Sequence, residues 1–338
     1  GLLMSMLIPA DQGGKNRELM GYYGSGMFAV VGAANVRFAS MEEDYFDPGF
    51  QSLKMDPFTH CWSLGVEEQF YLVFPLMLLG IHGHSGGIRL ARGWTLPVVM
   101  GLAAGCSALA AVLLAARSQL YAFYMLPARF WQLLAGAGLF EAVSWRAARA
   151  RAQPAAGAGA GGGSLAAWVA LQLATLLLLA ASFVAPHNGF AQLVHHGDGP
   201  VPGWVGLLSD WLPPVAGGAG FIGAGVMARG TAAGACSLNA LLARPLPVYI
   251  GRISYPLYLW HWPVVVLVPH TLGLDTAALR STALLLSVSM AMVSYHGVEG
   301  VFRRWRPTHH ARVFAVLLPA VGLTWLWLLL LRGPLWGA

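Results

Sequence analysis

The chain has 338 residues, of which 57% are hydrophobic and only 10% are charged. Soluble domains carry roughly 25% charged residues, and a soluble fold of this length cannot enclose so many apolar side chains. The composition therefore excludes an ordinary soluble protein and indicates an integral membrane protein. The net charge of +6 comes mostly from arginines in short loops between apolar runs, which is a topology signal and does not indicate nucleic-acid binding.

Eight apolar runs predict membrane-crossing helices, because each has the roughly 17 to 25 residues that a span requires. In chain order they are residues 62–81, 94–116, 127–143, 165–184, 211–227, 255–272, 277–298 and 313–331. Before them, residues 2–8 resemble the end of a helix, and residues 19–38 form a glycine-rich segment expected to be interfacial or re-entrant. Close helix packing is expected at Gly101 and Gly105 and in the glycine cluster 217–225. The predicted fold class is an all-α, polytopic transmembrane helix bundle.

Most of the basic residues fall on one side of this predicted multi-pass bundle, in the loops 82–93, 144–163, 228–254 and 300–312. These loops are expected to be cytoplasmic by the positive-inside rule. Residues 155–163 contain only alanine and glycine, which predicts a flexible linker within one cytoplasmic loop. The acidic segment that precedes residue 62 falls on the opposite side, so His60 and Glu67 are expected on the outer face of the membrane.

The main chemical signal is the sequence HCWSLGVEEQFY at residues 60–71, which brings an imidazole and two carboxylates to the start of an apolar segment. An ionisable group in a membrane is costly unless it faces a polar cavity, which favours a functional site. On a helix His60, Ser63 and Glu67 share one stripe, whereas Glu68 points elsewhere. A base beside a carboxylate suits acyl transfer to a hydroxyl. The structural alternative is a capped helix whose first-turn carboxylates favour the positive end of the dipole.

A second motif, GRISYPLYLWHWP at residues 251–263, is expected to enter the membrane from the cytoplasmic side. Arg252 precedes the predicted helix start, where free backbone N–H groups and the helix dipole favour an anion such as phosphate. Ser254, Tyr258 and His261 then share one face of the helix. The structural alternative is an aromatic belt at the membrane interface, with a histidine that is hydrogen-bonded to a neighbour.

Two further charged positions have a structural and a functional interpretation. Arg129, near the start of a predicted helix, is either an interface anchor or a ligand for an anionic acceptor group. Glu299 either pairs with Arg303 across one helical turn or belongs to a site. The three cysteines form no CxxC pair and no HExxH spacing occurs, so the sequence predicts no metal site.

Five blocks in order make the chain similar to the membrane acyltransferase-3 family, the O-acetyltransferases that modify surface polysaccharides and lipopolysaccharides. The blocks are residues 45–48 (YFDP), 60–75, 127–136, 251–263 and 294–303. No single block is decisive, but five in the family's order are specific. Together they extend over most of the chain, from the first acidic segment to the last cytoplasmic loop.

The resemblance implies a bundle of about ten membrane helices that takes an acyl group, usually acetyl, from acyl-coenzyme A on the cytoplasmic side. The group is passed to a carbohydrate hydroxyl on the other side. The implied co-substrate is acetyl-CoA, and the implied partners are membrane lipid and a carbohydrate acceptor, with no metal and no nucleic acid. The alternatives are a transporter or flippase of a glycan or lipid precursor, and an inactive acyltransferase-like scaffold.

On this interpretation the predicted catalytic residues are His60, Glu67, His261 and Tyr258. The predicted acyl-CoA-binding residues, near the cytoplasmic entry, are Arg252 and Ser254. The predicted substrate-binding residues are Trp62, Ser63, Gln69, Arg129 and Trp131. His60 and Glu67 are expected at the outer, acceptor end of the path that His261 and Tyr258 line.

The chain departs from the family at its amino end. Family members carry Arg or Lys, ten further residues and then an essential His in the first helix, and no such pair occurs here. The chain opens within an apolar run, so we expect residues 1–338 to be a single integral membrane acyltransferase-like domain that lacks the family's first two to three helices. Residues 313–331 resemble an extra C-terminal helix of some members.

Overall fold

The computed structural model of the chain describes residues 14–41, 56–82, 95–152, 165–184, 211–227, 238–272, 276–305 and 310–332. Every regular element within these ranges is helical, which confirms the predicted all-α class. The chain divides into two compact units. The terminal unit consists of Gly1–Gln69 and Val248–Ala338, and the central unit of Phe70–Pro247. The predicted helix end at residues 2–8 and the linker at 155–163 lie outside the described residues.

In chain order the helices are α1 (Gly14–Val30), α2 (Ala34–Ser40), α3 (Cys61–His82), α4 (Thr95–Arg117), α5 (Gln119–Tyr124), α6 (Leu126–Ala152), α7 (Leu165–Val184), α8 (Leu212–Met227), α9 (Leu238–Leu242), α10 (Pro245–Leu272), α11 (Thr276–Val293), α12 (Gly300–Arg304) and α13 (His310–Arg332). A π-helical turn, Ser294–Glu299, joins α11 to α12. Each of the eight predicted apolar runs is therefore helical. The two largest differences are that α6 continues to Ala152 and that α10 begins at Pro245.

The described helices have the composition of membrane helices. Two of them, Leu96–Arg117 and Ala277–Arg304, are long and apolar enough to cross a membrane, and shorter apolar helices accompany them. On α4 the side chains of Leu102, Leu109 and Leu113 are 58–65% exposed. A stripe of exposed leucines is costly in water and stable against lipid tails. The structure thus confirms a helical membrane protein.

In the terminal unit, the predicted interfacial or re-entrant segment is a helical hairpin of α1 and α2. The chain turns at Gly32, whose φ of +68° is a conformation that glycine adopts without strain. The start of α3 packs against this hairpin through a reciprocal amide pair. Asn35 Nδ2 donates to Gln69 Oε1 at 3.3 Å, and Gln69 Nε2 donates to Asn35 Oδ1 at 2.8 Å. A Cβ at Gly65 would lie 2.8 Å from Asn35 Oδ1, so this approach requires glycine.

The hairpin also packs against the last helix of the terminal unit. Tyr22, Tyr23 and Met27 of α1 are buried in one cluster with Leu328 of α13. The indole N–H of Trp325 donates to the Met27 carbonyl at 3.1 Å. Residues 313–331, predicted as an extra helix, therefore help to hold the hairpin in place.

In the central unit α7 and α8 pack at the glycine cluster, as the sequence predicts. A Cβ at Gly217 would lie 3.0 Å from the Thr175 carbonyl, and a Cβ at Gly220 would lie 2.6 Å from Thr175 Cγ2. The corresponding prediction for Gly101 and Gly105 is wrong, because no described neighbour lies within 4 Å of a Cβ built at either position. A small residue permits a close helix contact but does not by itself produce one.

Candidate functional site

The site begins at the turn that precedes α3. The Oδ1 atom of Asp56 accepts the backbone N–H of Phe58 at 2.8 Å. The Asp56 carbonyl accepts both the N–H and the hydroxyl of Thr59, at 3.1 and 2.9 Å. These bonds form a tight Asx-type turn. The turn ends at His60, which is only 6% exposed.

A short chain of hydroxyl groups joins this turn and the start of α3 to α10. The Tyr258 hydroxyl donates to the His60 carbonyl at 2.6 Å, and Ser63 Oγ lies 2.6 Å from the same hydroxyl. Because a tyrosine hydroxyl has one proton and the carbonyl uses it, Ser63 is the donor in the second bond. Tyr258 therefore holds the backbone of His60 in place from the opposite helix.

Two imidazole rings meet beside these hydroxyls. The ring centroids of His60 and His261 lie 5.7 Å apart in an edge-to-face arrangement. Nδ1 of His261 lies 2.6 Å from the Tyr258 carbonyl. A carbonyl only accepts, so Nδ1 carries the proton and Nε2 of the neutral ring is an acceptor. Nδ1 of His60 is buried and has no hydrogen-bond partner among the described residues.

Burial controls the protonation of the turn that precedes α3. It raises the pKa of Asp56 from 3.8 to about 6, although a hydrogen bond from Ser25 and the charge of Arg37 oppose the shift. Burial, followed by the neighbouring His261, lowers the pKa of His60 to about 4. His60 is therefore neutral at physiological pH.

The two tryptophans of the second motif have hydrogen-bond partners in the terminal unit. The indole N–H of Trp262 donates to the Asp56 carbonyl at 2.9 Å, which fixes the turn before α3 against α10. The indole N–H of Trp260 donates to Ser294 Oγ at 2.7 Å and attaches the π-helical turn. These side chains therefore anchor the site rather than forming only an interfacial belt.

The structure brings Glu67 and Gln69 into different surroundings from those predicted. Glu67 is half-buried and makes no hydrogen bond to His60. Both Glu67 and Glu68 interact electrostatically with the Tyr255 hydroxyl. Gln69 uses both ends of its amide, since it pairs with Asn35 and also donates to the Gly32 carbonyl at 3.1 Å. Its contacts join two helices, so its predicted contact with substrate has no support in this geometry.

The predicted helix start after Arg252 is wrong. Helix α10 begins at Pro245, so Arg252 lies in its interior, where the backbone N–H groups are already bonded within the helix. The exposed Ser254 donates from Oγ to the Gly251 carbonyl of its own helix at 2.8 Å. Arg252 remains an exposed cation on α10, and its contact with acyl-CoA stays a prediction.

Arg129 and Trp131 lie in the central unit in a cluster of their own. The Arg129 guanidinium donates to the Phe123 carbonyl and lies 4.6 Å from the centre of the Phe123 ring and 5.8 Å from that of Trp211. These contacts favour the anchor interpretation. The Trp131 backbone N–H donates to Ser107 Oγ at 2.9 Å, while its indole N–H is buried without a partner among the described residues.

The structure also locates the remaining predicted positions, although the predicted contact of Trp62 with substrate stays a prediction. Trp62 is half-buried in the first turn of α3, and its backbone N–H donates to the Thr59 carbonyl. Arg303 Nη2 lies 3.3 Å from Glu299 Oε2, which confirms the predicted pair across one turn.

Within the described ranges, no three His, Cys, Asp or Glu side chains lie close enough to hold a metal ion.

Three side chains beside the site have no counterpart in the sequence predictions. Asp56 belongs to none of the blocks recognised in the sequence, but the Asp-Pro dipeptide that it begins is a known turn signal. Ser25 and Arg37 reach it from α1 and α2, with Arg37 Nε donating to Ser25 Oγ at 3.0 Å. No local pattern connects these three segments, so only the tertiary structure reveals their contact.

Comparison with known proteins gives the family. Residues 20–296 match the family described as acyltransferase domain. The chain is similar to the O-acetyltransferase OatA of three Staphylococcus aureus strains, NCTC 8325, COL and MRSA252, with 26% identity over 281 residues in each case. The alignment covers 82% of this chain and 40% of each relative, so the chain spans about two fifths of their length. No solved structure matches the chain.

The family match includes His60, Tyr258 and His261 and most of the sequence, and the chain belongs to the acyltransferase domain family.

Proposed function

We propose that the protein is a multi-pass membrane O-acyltransferase that moves an acyl group from acyl-coenzyme A to a hydroxyl of a carbohydrate. Family membership supports acyl transfer, and similarity to proteins named O-acetyltransferase supports acetyl as the group. The observation that carries the proposal is the 2.6 Å bond between His261 Nδ1 and the Tyr258 carbonyl. It fixes the ring so that Nε2 is available to accept a proton, the role of the histidine in acyl-transfer triads.

The reaction follows from these roles. His261 Nε2 takes the proton of the acceptor hydroxyl as its oxygen attacks the acyl carbonyl. The C–S bond of the thioester breaks, and the coenzyme A sulfur leaves with the proton that His261 returns. His60, neutral and buried, presents Nδ1 to orient the hydroxyl, and the bond from Tyr258 to its carbonyl keeps it in place.

The proposed side of the membrane for each substrate is inferred from the charge of the loops. The arginine-rich loops favour the cytoplasm, so acyl-CoA is expected there and the carbohydrate acceptor on the outer face. Arg252 precedes Tyr258 on α10 by less than two helical turns. A co-substrate bound at this exposed cation can therefore extend along α10 to the imidazoles.

The test is transfer of radiolabelled acetyl from acetyl-CoA to surface carbohydrate, with the protein in its native membrane. We expect transfer by the wild type and a loss of about 10²-fold or more in His261→Ala. The matched control is His296→Ala, because this histidine bonds Tyr249 in an exposed part of the same unit. Uptake of unmodified glycan without acetyl transfer would instead support the transporter, and binding of acyl-CoA without turnover would support the inactive scaffold.

A further inference from the structure

Asp56 is a buried acid that the proposed reaction does not use. It is 4% exposed, and three separate segments meet at it. Its carboxylate accepts the Phe58 N–H within its own turn and a hydrogen bond from Ser25 of α1. Its backbone carbonyl accepts the indole N–H of Trp262 on α10. A buried carboxylate is costly unless it is hydrogen-bonded, and these bonds meet that requirement.

A cation supports this carboxylate from the helical hairpin. Arg37 donates from Nε to Ser25 Oγ at 3.0 Å and from Nη2 to the Gly21 carbonyl at 3.0 Å. A Cβ at Gly24 would lie 2.9 Å from Arg37 Nη2, so the guanidinium is tightly enclosed. Its charge also acts directly on Asp56. A fixed series of polar contacts therefore runs from Arg37 through Ser25 to Asp56.

We propose that Asp56 is a positioning residue, which holds the turn before α3 so that His60 is presented to Tyr258 and His261. The inference rests on the proposed function, because the orientation of His60 affects rate only if this site transfers acyl groups. Asp56 acts from one end of the turn, and the Tyr258 hydroxyl holds the His60 carbonyl at the other end. A displacement of about 1 Å at such a site lowers a rate by about 10²-fold.

The charge of Asp56 makes this positioning depend on pH. Burial places its pKa near 6, and an ionised carboxylate accepts stronger hydrogen bonds than a protonated one. The turn is therefore held most firmly above pH 6. Among the described residues, Arg37 on α2 and the Cys61 thiol on α3 are the charged or titratable groups that interact with Asp56. Ser25 of α1 and Trp262 of α10 also bond Asp56 and do not titrate in this range.

The test compares two substitutions with different chemistry in the protein in its native membrane. Asp56→Ala removes the acceptor of the turn, whereas Asp56→Asn retains an acceptor oxygen but never ionises. We expect Asp56→Ala to lower kcat about 10²-fold with little change in the KM for acetyl-CoA. Asp56→Asn is expected to keep a kcat well above that of Asp56→Ala but below that of the wild type above pH 6, and to lack the fall in rate that the wild type shows below pH 6. The control is Glu141→Gln, an exposed carboxylate of the central unit.

A second measurement separates this inference from the proposed function. Hydrogen–deuterium exchange of residues 57–63 is expected to accelerate in Asp56→Ala and to remain close to wild type in Asp56→Asn and Glu141→Gln. If the wild type transfers no acetyl group, the proposed function fails, but the exchange result still decides whether Asp56 holds the turn. Wild-type exchange in Asp56→Ala, or wild-type kcat and pH profile in both Asp56 variants, overturns the inference.

Discussion

The Tyr258 hydroxyl donates a 2.6 Å hydrogen bond to the backbone carbonyl of His60, a residue 198 positions away in the chain. This bond joins two motifs that the sequence assigned to opposite ends of a transfer path. The His60 imidazole also lies against the Tyr258 ring, with 5.3 Å between centroids. The two motifs therefore form one site in the terminal unit, and the bond between them is a direct target for substitution.

Tyr258→Phe is expected to lower the rate of acetyl transfer by about 10-fold or more while the ring packing is retained. The substitution leaves the buried His60 carbonyl without its tyrosine donor, which costs about 1–3 kcal/mol. Initial rates and the thermal midpoint of the purified protein measure the two effects. Tyr249→Phe is the matched control, since Tyr249 lies on the same helix and loses only an exposed bond to His296. Equal rates in the two variants would contradict a role for the Tyr258 hydroxyl.

Ser63→Ala is expected to have a smaller effect than Tyr258→Phe. Ser63 donates to the Tyr258 hydroxyl at 2.6 Å, but Tyr258 keeps its bond to the His60 carbonyl when this donor is lost. The net contribution of such a bond is about 0.5–1.5 kcal/mol, which corresponds to about a 2- to 12-fold change in rate. Ser281→Ala serves as control because Ser281 bonds only carbonyls of its own exposed helix. A larger loss in Ser63→Ala would instead indicate direct contact with substrate.

The sequence predicts the helices well because hydropathy is a local property. Helix α7 has the predicted bounds, α8 begins one residue later than predicted, and α4 is displaced by one residue at both ends. Hydropathy does not locate the start of α10, because the apolar run begins only at Tyr255. Pro245 was the available signal, since proline is favoured in the first turn of a helix.

The candidate site was only partly predictable. His60, Ser63, Tyr258 and His261 stand out because polar groups within apolar segments are rare, but nothing local indicates that they touch. Helical spacing predicts that Glu67 orients the imidazole. The structure gives Tyr258 the bonds to both His60 and His261 instead. Such contacts depend on how distant helices pack, which no periodicity within one helix encodes.

Gln69→Ala is expected to destabilise the protein more than it slows the folded enzyme. Gln69 and Asn35 exchange two amide hydrogen bonds between α3 and α2. A double-mutant cycle of Gln69→Ala and Asn35→Ala should therefore show a coupling energy of about 0.5–3 kcal/mol in unfolding. Activity is normalised to folded protein in the same samples. Additive stabilities together with a large loss of normalised activity would restore the predicted contact with substrate.

The stability of the protein should depend on pH through Asp56. Its folded pKa is about 6 against an ordinary value of 3.8, so the folded state binds the proton more tightly than the unfolded state. The resulting stabilisation is fully present below pH 3.8 and is lost as the pH rises through 6. The difference corresponds to about 3 kcal/mol of unfolding free energy, at roughly 1.4 kcal/mol for each pKa unit.

Asp56→Asn cannot ionise and is expected to escape this loss. The variant should therefore gain thermal stability relative to the wild type as the pH is raised from 4 to 8, even where the loss of the charged hydrogen bonds slows acetyl transfer. Thermal midpoints of both proteins across this range measure the difference, and Glu141→Gln, which removes an exposed carboxylate, should follow the wild type. Parallel curves for wild type and Asp56→Asn would show that the carboxylate is not held in a desolvated state. A gain confined to high pH would show that the ionised carboxylate of Asp56 destabilises the folded protein.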